Sequence, residues 1–432
     1  MTKRTVDLRD MHPADLANRL ERLPTEEART ILLQLPPNVG AEVLSELDTR
    51  DAADLFEGFS IEEIAARLRP LPPHRIADLL IALPVARREQ IQQHLPAEQM
   101  TTATALLRYP PDSAGGIMDS RFIAVPANST VEECLATLRA NPDQRTGSVL
   151  YIYVVDDSNH LVGVVSLRAL LFASLDQRMH DIMNRDVRFL RVTDDQEEIA
   201  RQIQHYHFLG LPVVDEQERL AGVVKIDDAI RVAQAEATED MHLMVGLSSE
   251  ERIWTPWKHS IARRLPWLGV NLITALGAAT VVSFFEGTIS RWTALVSFLP
   301  LICAVAGNAG NQALTVIIRS LALGEVAPRD AFRALRKELF IGAANGFVLA
   351  VAIGLIAFGW KGSVLLGTVA GTAMLLNQIL GAMAGVVIPF GLRRCKVDPA
   401  MASSIFVTAL TDTMGFLVFL GLATFAMWRF GL

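Results

Sequence analysis

Apolar and polar positions follow three successive patterns along this chain. Up to about residue 110, short amphipathic pieces recur as PADLANRLERLP, DAADLFEGFS and RIADLLIALP, each closed by Pro or Gly. Such punctuation predicts short stacked helices in a small superhelical domain, with an ordinary helical bundle as the alternative. The period then shortens. IYVVDDSNHLVGVVSLRALL, Ile152 to Leu171, recurs as LPVVDEQERLAGVVKIDDAI, Leu211 to Ile230, at a shift of 59 residues. Each copy reads strand, turn, strand, helix. Each follows another matching unit, IMDSRFIAVPANSTVEECLATL or IMNRDVRFLRVTDDQEEIARQI, so two βαββα units stand in tandem. After Trp254 come five apolar segments, Leu265–Ile289, Thr293–Leu323, Leu335–Phe358, Ser363–Leu392 and Pro399–Trp428. Each is long enough to cross a bilayer as a helix.

Charge divides the chain at the same place. Up to Arg252 there are 26 Lys and Arg against 41 Asp and Glu; from Ile253 onward there are 14 against 6. An acidic front disfavours nucleic acid and favours cations. Basic residues gather before the first span (Arg263, Arg264), between the second and third (Arg329, Arg333) and between the fourth and fifth (Arg393, Arg394, Lys396). The positive-inside bias predicts a multi-pass protein of the cytoplasmic membrane, with its N-terminus in the cytoplasm and its C-terminus outside. The opening MTKRTVDLRDMHPADL lacks an apolar core, so no cleaved signal peptide is expected. Cys134, Cys303 and Cys395 have no CxxC spacing, and no disulfide framework or zinc site follows.

The most informative residue is Asp412, the only charged side chain between Pro399 and Trp428. A carboxylate in mid-membrane costs about 2.5–3.5 kcal/mol, so it marks a partner, a cavity or an ion path. The second span carries GNAGNQ, Gly307 to Gln312, read either as a broken helix lining a cavity or as a small-residue packing seam. The fourth adds Asn377, Gln378 and Gly381, and the first ends near Glu286, an interfacial residue. Oxygen-rich spans without thiolate or His clusters suit a hard divalent cation that keeps its water.

Between the repeat and the membrane lies EATED, with Glu236, Glu239 and Asp240 on one helix face. Like charges there call for a cation or a basic partner, unless the helix is simply a solvated linker. The tandem units resemble a pair of CBS domains, which commonly hold adenine nucleotides through G-h-h-S/T-x-x-D. The first copy runs Gly163, Ser166, Ala169 and lacks the Asp; the second runs Gly222, Lys225, Asp228 and lacks the hydroxyl.

Domain order and the strings EATED, RLPWL, GNAGNQ and TALTDTMG closely resemble the MgtE family of magnesium channels over essentially the whole chain. The resemblance implies a multidomain fold. It comprises an all-α superhelical N-terminal domain (1–112), α/β tandem CBS domains (113–232), a connecting plug helix (233–260) and an α-helical transmembrane bundle (261–432) with five helices per subunit. It implies a homodimer in the lipid bilayer with a central pore. The selectivity carboxylate for hydrated Mg2+ would be Asp412, with Ser404 and Thr408 at neighbouring pore positions. Sensor ions would bind at Asp78, Asp195, Glu197, Asp228, Glu236, Glu239 and Asp240 and hold the gate shut. ATP at the CBS domains would involve Tyr151, Arg168 and Phe208. The chain departs from the pattern at His74, His207 and Arg231, where relatives often carry acids, and at Ser403-Ser404-Ile405 after Asp398-Pro399.

The expectation is therefore a magnesium-gated magnesium channel, not an enzyme, with no nucleic-acid partner. Two other readings stay open: a divalent transporter of broader selectivity admitting cobalt, nickel or manganese, and a CBS nucleotide-sensing membrane adaptor.

Overall fold

The computed structural model describes residues 11–140, 151–248, 251, 253, 255, 257–401 and 403–430. The chain divides into two compact units, Met1–Ala233 and Gln234–Leu432.

Among the described residues, eight α-helices open the first unit: α1 (Pro13–Leu20), α2 (Thr25–Gln34), α3 (Pro37–Glu46), α4 (Thr49–Leu55), α5 (Ile61–Leu68), α6 (Pro73–Ala82), α7 (Val85–Gln92) and α8 (Ala97–Leu106). Their starts recur every 12 residues. Pro24, Pro36, Asp48, Ser60, Pro72, Pro84 and Pro96 are the successive N-caps. An apolar residue precedes each cap, and Leu35, Leu47, Phe59, Leu71, Leu83 and Leu95 are all buried. A proline starts a helix but cannot continue the preceding one, and the apolar residue before it pins the corner to the core. Each helix packs on the next but one: α1 on α3, α2 on α4, and so on to α6 on α8. The superhelical stack expected from the amphipathic pieces is therefore present. Its 12-residue period is a plainer signal than the pieces themselves.

Among the described residues, two three-stranded sheets follow, each with one parallel and one antiparallel pairing. The first holds β1 (Ala124–Pro126), β2 (Tyr151–Val155) and β3 (Leu161–Ser166). The second holds β4 (Leu190–Arg191), β5 (Gly210–Val214) and β6 (Leu220–Lys225). Around them lie α9 (Ala114–Ile117), α10 (Val131–Ala140), α11 (Leu167–Phe172), α12 (Met179–Ile182) and α13 (Gln196–Tyr206), and α14 (Ile226–Met244) leaves β6.

The two copies exchange their leading segments: Asp119 bridges to Val223, and Asn184 bridges to Val164. Gly163 and Gly222, aligned in the repeat, are the crossing points. A Cβ at Gly163 would strike Met183, and one at Gly222 would strike Met118. One core joins the helical stack to the second sheet, with Leu16, Phe56, Ile76, Met118, Val213 and Val224 in the same cluster. The first sheet keeps its own core around Ile152, Val154 and Val165.

The described residues of the second unit contain five helices long and apolar enough to cross a membrane: Trp257–Phe284, Thr293–Ala322, Pro328–Lys361, Val364–Arg394 and Ser403–Phe430. Their continuous α-helices are α15 (Trp257–Phe284), α17 (Leu299–Ala322), α18 (Ala331–Lys361), α19 (Val364–Arg394) and α20 (Ser403–Phe430). The first span differs from the expected Leu265–Ile289. It starts at Trp257, runs through Pro266 and ends at Phe284, and a separate short helix, α16 (Glu286–Arg291), follows. Hydropathy marks where apolar side chains begin. The helix extends further because its basic first turns hydrogen-bond equally well outside the hydrocarbon.

α19 is the most enclosed of the five. Glycines bring its backbone close to its neighbours: a Cβ at Gly371 would lie 2.8 Å from the Ala350 carbonyl oxygen of α18, and one at Gly381 2.5 Å from that of Ala306 in α17.

Candidate functional site

Ser404, Thr408 and Asp412 occupy successive turns of α20 and are all partly exposed. Val407, Thr411 and Gly415, one turn-face away, are buried against the bundle. Helical spacing of four thus lines the three candidate ligands along one edge of a packed helix. Among the described residues, none hydrogen-bonds or ion-pairs with the Asp412 carboxylate. Ser404 Oγ donates to Asn311 Oδ1 at 3.0 Å, tying α20 to the GNAGNQ segment.

That segment lies in unbroken helix, so the packing-seam reading holds and the broken-helix reading falls. A Cβ at Gly310 would come within 2.6 Å of Val407 Cγ1 and 3.0 Å of the Gly381 carbonyl oxygen. The seam still leaves Asn308 and Gln312 exposed on the single chain and Asn311 half-buried. Glu286 is exposed at the start of α16, as an interfacial residue should be.

The acidic face of α14 behaves as a charged cluster. Glu236, Glu239 and Asp240 are partly buried. Burial and the neighbouring charges of Asp398, Glu236 and Glu239 push the Asp240 carboxyl up to about 6. Asp398 also caps the turn before α20, accepting from the Ala400 N–H at 2.7 Å. Sequence reading passed Asp398 over. Its signal was its place, an acid immediately before Pro399 and the last span. Clustered carboxylate oxygens fit a hard cation in chemistry. Among the described residues, no three His, Cys, Asp or Glu side chains are grouped so as to hold a metal ion.

The other expected sensor acids are distributed differently. Asp78 on α6 and Asp228 on α14 lie within electrostatic reach of each other, with guanidinium groups between them. Arg75 reaches Asp78 at 3.6 Å, and Arg231 pairs with Asp228 one turn back on its own helix. Burial raises both carboxyls above their ordinary range, against the pull of these arginines. Arg231 Nη1 also donates to the Ser45 carbonyl at 3.4 Å, and Arg75 Nη2 donates to the same oxygen at 3.1 Å. Two cations thus meet the carbonyl end of α3, where the helix dipole is negative. Asp195 is spent as the N-cap of α13, accepting from the Glu197 N–H at 2.9 Å, and both residues are exposed.

His74 is buried and neutral, its imidazole pushed down to about 3 by burial, and stands 3.9 Å from Asp119. His207 takes a left-handed conformation at the end of α13. Asp119 is fully buried, yet Arg121 and Lys225 hold its carboxyl down at about 2 against that burial. Lys225 Nζ lies 2.7 Å from Asp119 Oδ2.

Three family descriptions match in order. They are the MgtE intracellular N domain over residues 11–112, the CBS domain over 114–176 and 179–235, and the MgtE divalent cation transporter domain over 299–422. The magnesium transporter MgtE of Thermus thermophilus is 36% identical over 424 residues, covering 96% of this chain and 93% of that protein. The chain belongs to the MgtE family. A second MgtE, from Bacillus subtilis, is 32% identical over 419 residues, covering 96% of this chain and 92% of its own length. Among solved structures, the cytosolic domain of the Mg2+ channel MgtE in complex with ATP is 38% identical. It covers 52% of this chain and 92% of its own, with a TM-score of 0.48.

In this MgtE chain the three residues expected at a nucleotide lie in separate surroundings. Tyr151 opens β2 and packs with Tyr153, Val155, Leu220 and Val223. Phe208 packs against the large helical core. Arg168 is exposed on α11. In the second copy, the Lys225 that replaces the signature hydroxyl is engaged with Asp119, and Asp228 with Arg231.

Proposed function

We propose that this chain is a magnesium channel, gated by magnesium, that works as a homodimer in the cytoplasmic membrane with its acidic half in the cytoplasm. One observation carries the reading. The sole charged side chain in the middle of the last span, Asp412, is partly exposed and has no partner among the described residues. It shares a helix edge with Ser404 and Thr408. A carboxylate at that depth with no counter-charge is a costly arrangement, and a passing cation supplies what is missing. Ser404 and Thr408 would contact the water shell of the ion and Asp412 would supply the charge, an arrangement suited to an ion that sheds water reluctantly.

Gating is assigned to the acids of α14. Glu236, Glu239 and Asp240, together with Asp398, repel one another when magnesium is scarce. Magnesium bound there would favour one arrangement of α14 over another, a population shift set by differential binding. Asp78, Asp228, Asp195 and Glu197 are further candidate ligands, the first two already partly neutralised by arginine. ATP at Tyr151, Arg168 and Phe208 is the corresponding assignment for the CBS domains.

The test is ion uptake by proteoliposomes containing only this protein. Wild type should take up magnesium, and Asp412→Asn should lose most of that uptake while eluting as the same folded species. Unchanged uptake by Asp412→Asn, or none by wild type, would refute the pathway.

A further inference from the structure

The geometry points to Asn377 as a positioning residue for Asp412, one that sets the rotation of α20 without touching the ion. The inference rests on the reading of Asp412 as the pathway carboxylate. Asn377 is fully buried at the centre of α19. Its Nδ2 donates to the Ile302 carbonyl of α17 at 3.3 Å, while its Oδ1 has no partner among the described residues. An apolar side chain of the same size would bury there without leaving a polar atom unsatisfied, so packing alone does not account for the amide.

What the amide touches is the helix that carries Asp412. A Cβ on Gly415 would lie 2.5 Å from Asn377 Nδ2 and 2.9 Å from Cys303 Sγ. Gly415 is therefore a notch in α20, and the Asn377 amide and the Cys303 thiol occupy it from two neighbouring helices. The notch lies three residues beyond Asp412, on the adjoining turn. Cys303 Sγ also lies 3.9 Å from the Asp412 carbonyl oxygen, a weak second hold on the same turn. On the other side, a Cβ on Gly307 would lie 3.4 Å from Thr411 Oγ1.

The turn bearing Asp412 is thus clamped between α17 and α19, and Asn377 also hydrogen-bonds from α19 across to α17. A helix seated by a glycine notch has one preferred rotation. Turning it changes the direction in which α20 presents the carboxylate, and small misplacements of a charged group cost function steeply.

The experiment compares wild type, Asn377→Leu, Gly415→Ala, the double variant Asn377→Ala/Gly415→Ala, and Asp412→Asn. All are reconstituted at equal amounts of folded protein. Magnesium uptake is measured against magnesium concentration and against calcium as competitor. Asn377→Leu and Gly415→Ala should each raise the half-saturating magnesium concentration by about tenfold and weaken discrimination against calcium. The double variant should move back toward wild type, because the added methyl enters the space the amide leaves.

A purely structural role would lower the folded yield and leave half-saturation and competition per folded protein unchanged; that outcome overturns the proposal. If Asn377→Leu does not fold, Gly415→Ala and the double variant provide the same readout, and identical half-saturation in both and in wild type overturns it. Loss of uptake in Asp412→Asn with no shift at Asn377 defeats the positioning role alone. Wild-type uptake by Asp412→Asn defeats the pathway reading and the positioning role with it.

Discussion

Lys225 Nζ lies 2.7 Å from Asp119 Oδ2, a pairing of residues 106 positions apart. Asp119 belongs to the segment leading into the first CBS copy, and Lys225 ends the last strand of the second. The substitution that interrupts the nucleotide signature of the second copy thus joins the two copies by an ion pair. Arg121 completes the neutralisation at 3.2 Å.

Lys225→Ser restores the signature hydroxyl and removes one of the two cations at a fully buried carboxylate. Stability of the Met1–Ala233 unit should fall by about 1–3 kcal/mol, since Arg121 still satisfies part of the group. Thermal unfolding checks this. The sign of the pH dependence follows from the depressed Asp119 value of about 2 against an ordinary 3.8. Its stabilisation is present above the ordinary value and is lost as pH falls toward 2; removing Lys225 raises the folded value toward 3.8, so the acid-dependent loss should be smaller in the variant.

Asp240 predicts the opposite slope. Its folded value of about 6 lies above 3.8, so the folded state holds the proton more tightly. Its contribution is full below pH 3.8 and declines as pH rises through about 6. Added magnesium should flatten that decline by stabilising the carboxylate, and Asp240→Asn should remove it. Melting temperatures between pH 4 and 7, with and without magnesium, decide. An unchanged slope in Asp240→Asn would remove the residue from the cluster.

Arg231→Asp reverses a charge beside Asp78 and Asp228 and deletes the bond to the Ser45 carbonyl. Three carboxyls would then share the site with Arg75 alone. Without divalent ions the Met1–Ala233 unit should lose about 1 kcal/mol, or roughly 2–4 °C for a unit of this size. Millimolar magnesium should return most of the loss in the variant and change wild type less. Calorimetry across a magnesium series measures both.

Gly163→Ala and Gly222→Ala test the exchange of leading segments. In each, the new methyl meets a methionine of the other copy, Met183 or Met118. Methionine can bend away, so each change should cost about 1–3 kcal/mol and not abolish folding. Similar losses at the two sites are expected from the internal symmetry. A loss at one site only would show that the copies are not exchanged equivalently.

The parts of this protein legible in its sequence are those set by local spacing. Five apolar runs become five spans because a bilayer demands that backbone groups bond within each helix. The 59-residue shift becomes two like sheets, and the 12-residue Leu/Phe-cap spacing becomes a helical stack, because each pattern fixes its own element before anything packs on it. The carboxylate at Asp412 was legible for the same reason, a single charge in an apolar run.

Which group answers which was settled only by the tertiary structure. Nothing in the sequence joins Lys225 to Asp119, Arg231 to the carbonyl end of α3, Asp398 to Asp240, or Asn377 to Gly415. These partners lie on different elements, and their pairing depends on helix rotations and strand crossings that are fixed by packing of the whole core. GNAGNQ makes the same point: its composition allowed a broken helix as readily as a packing seam. The contact of Gly310 with Val407 and with the Gly381 backbone, groups far along the chain, made it a seam.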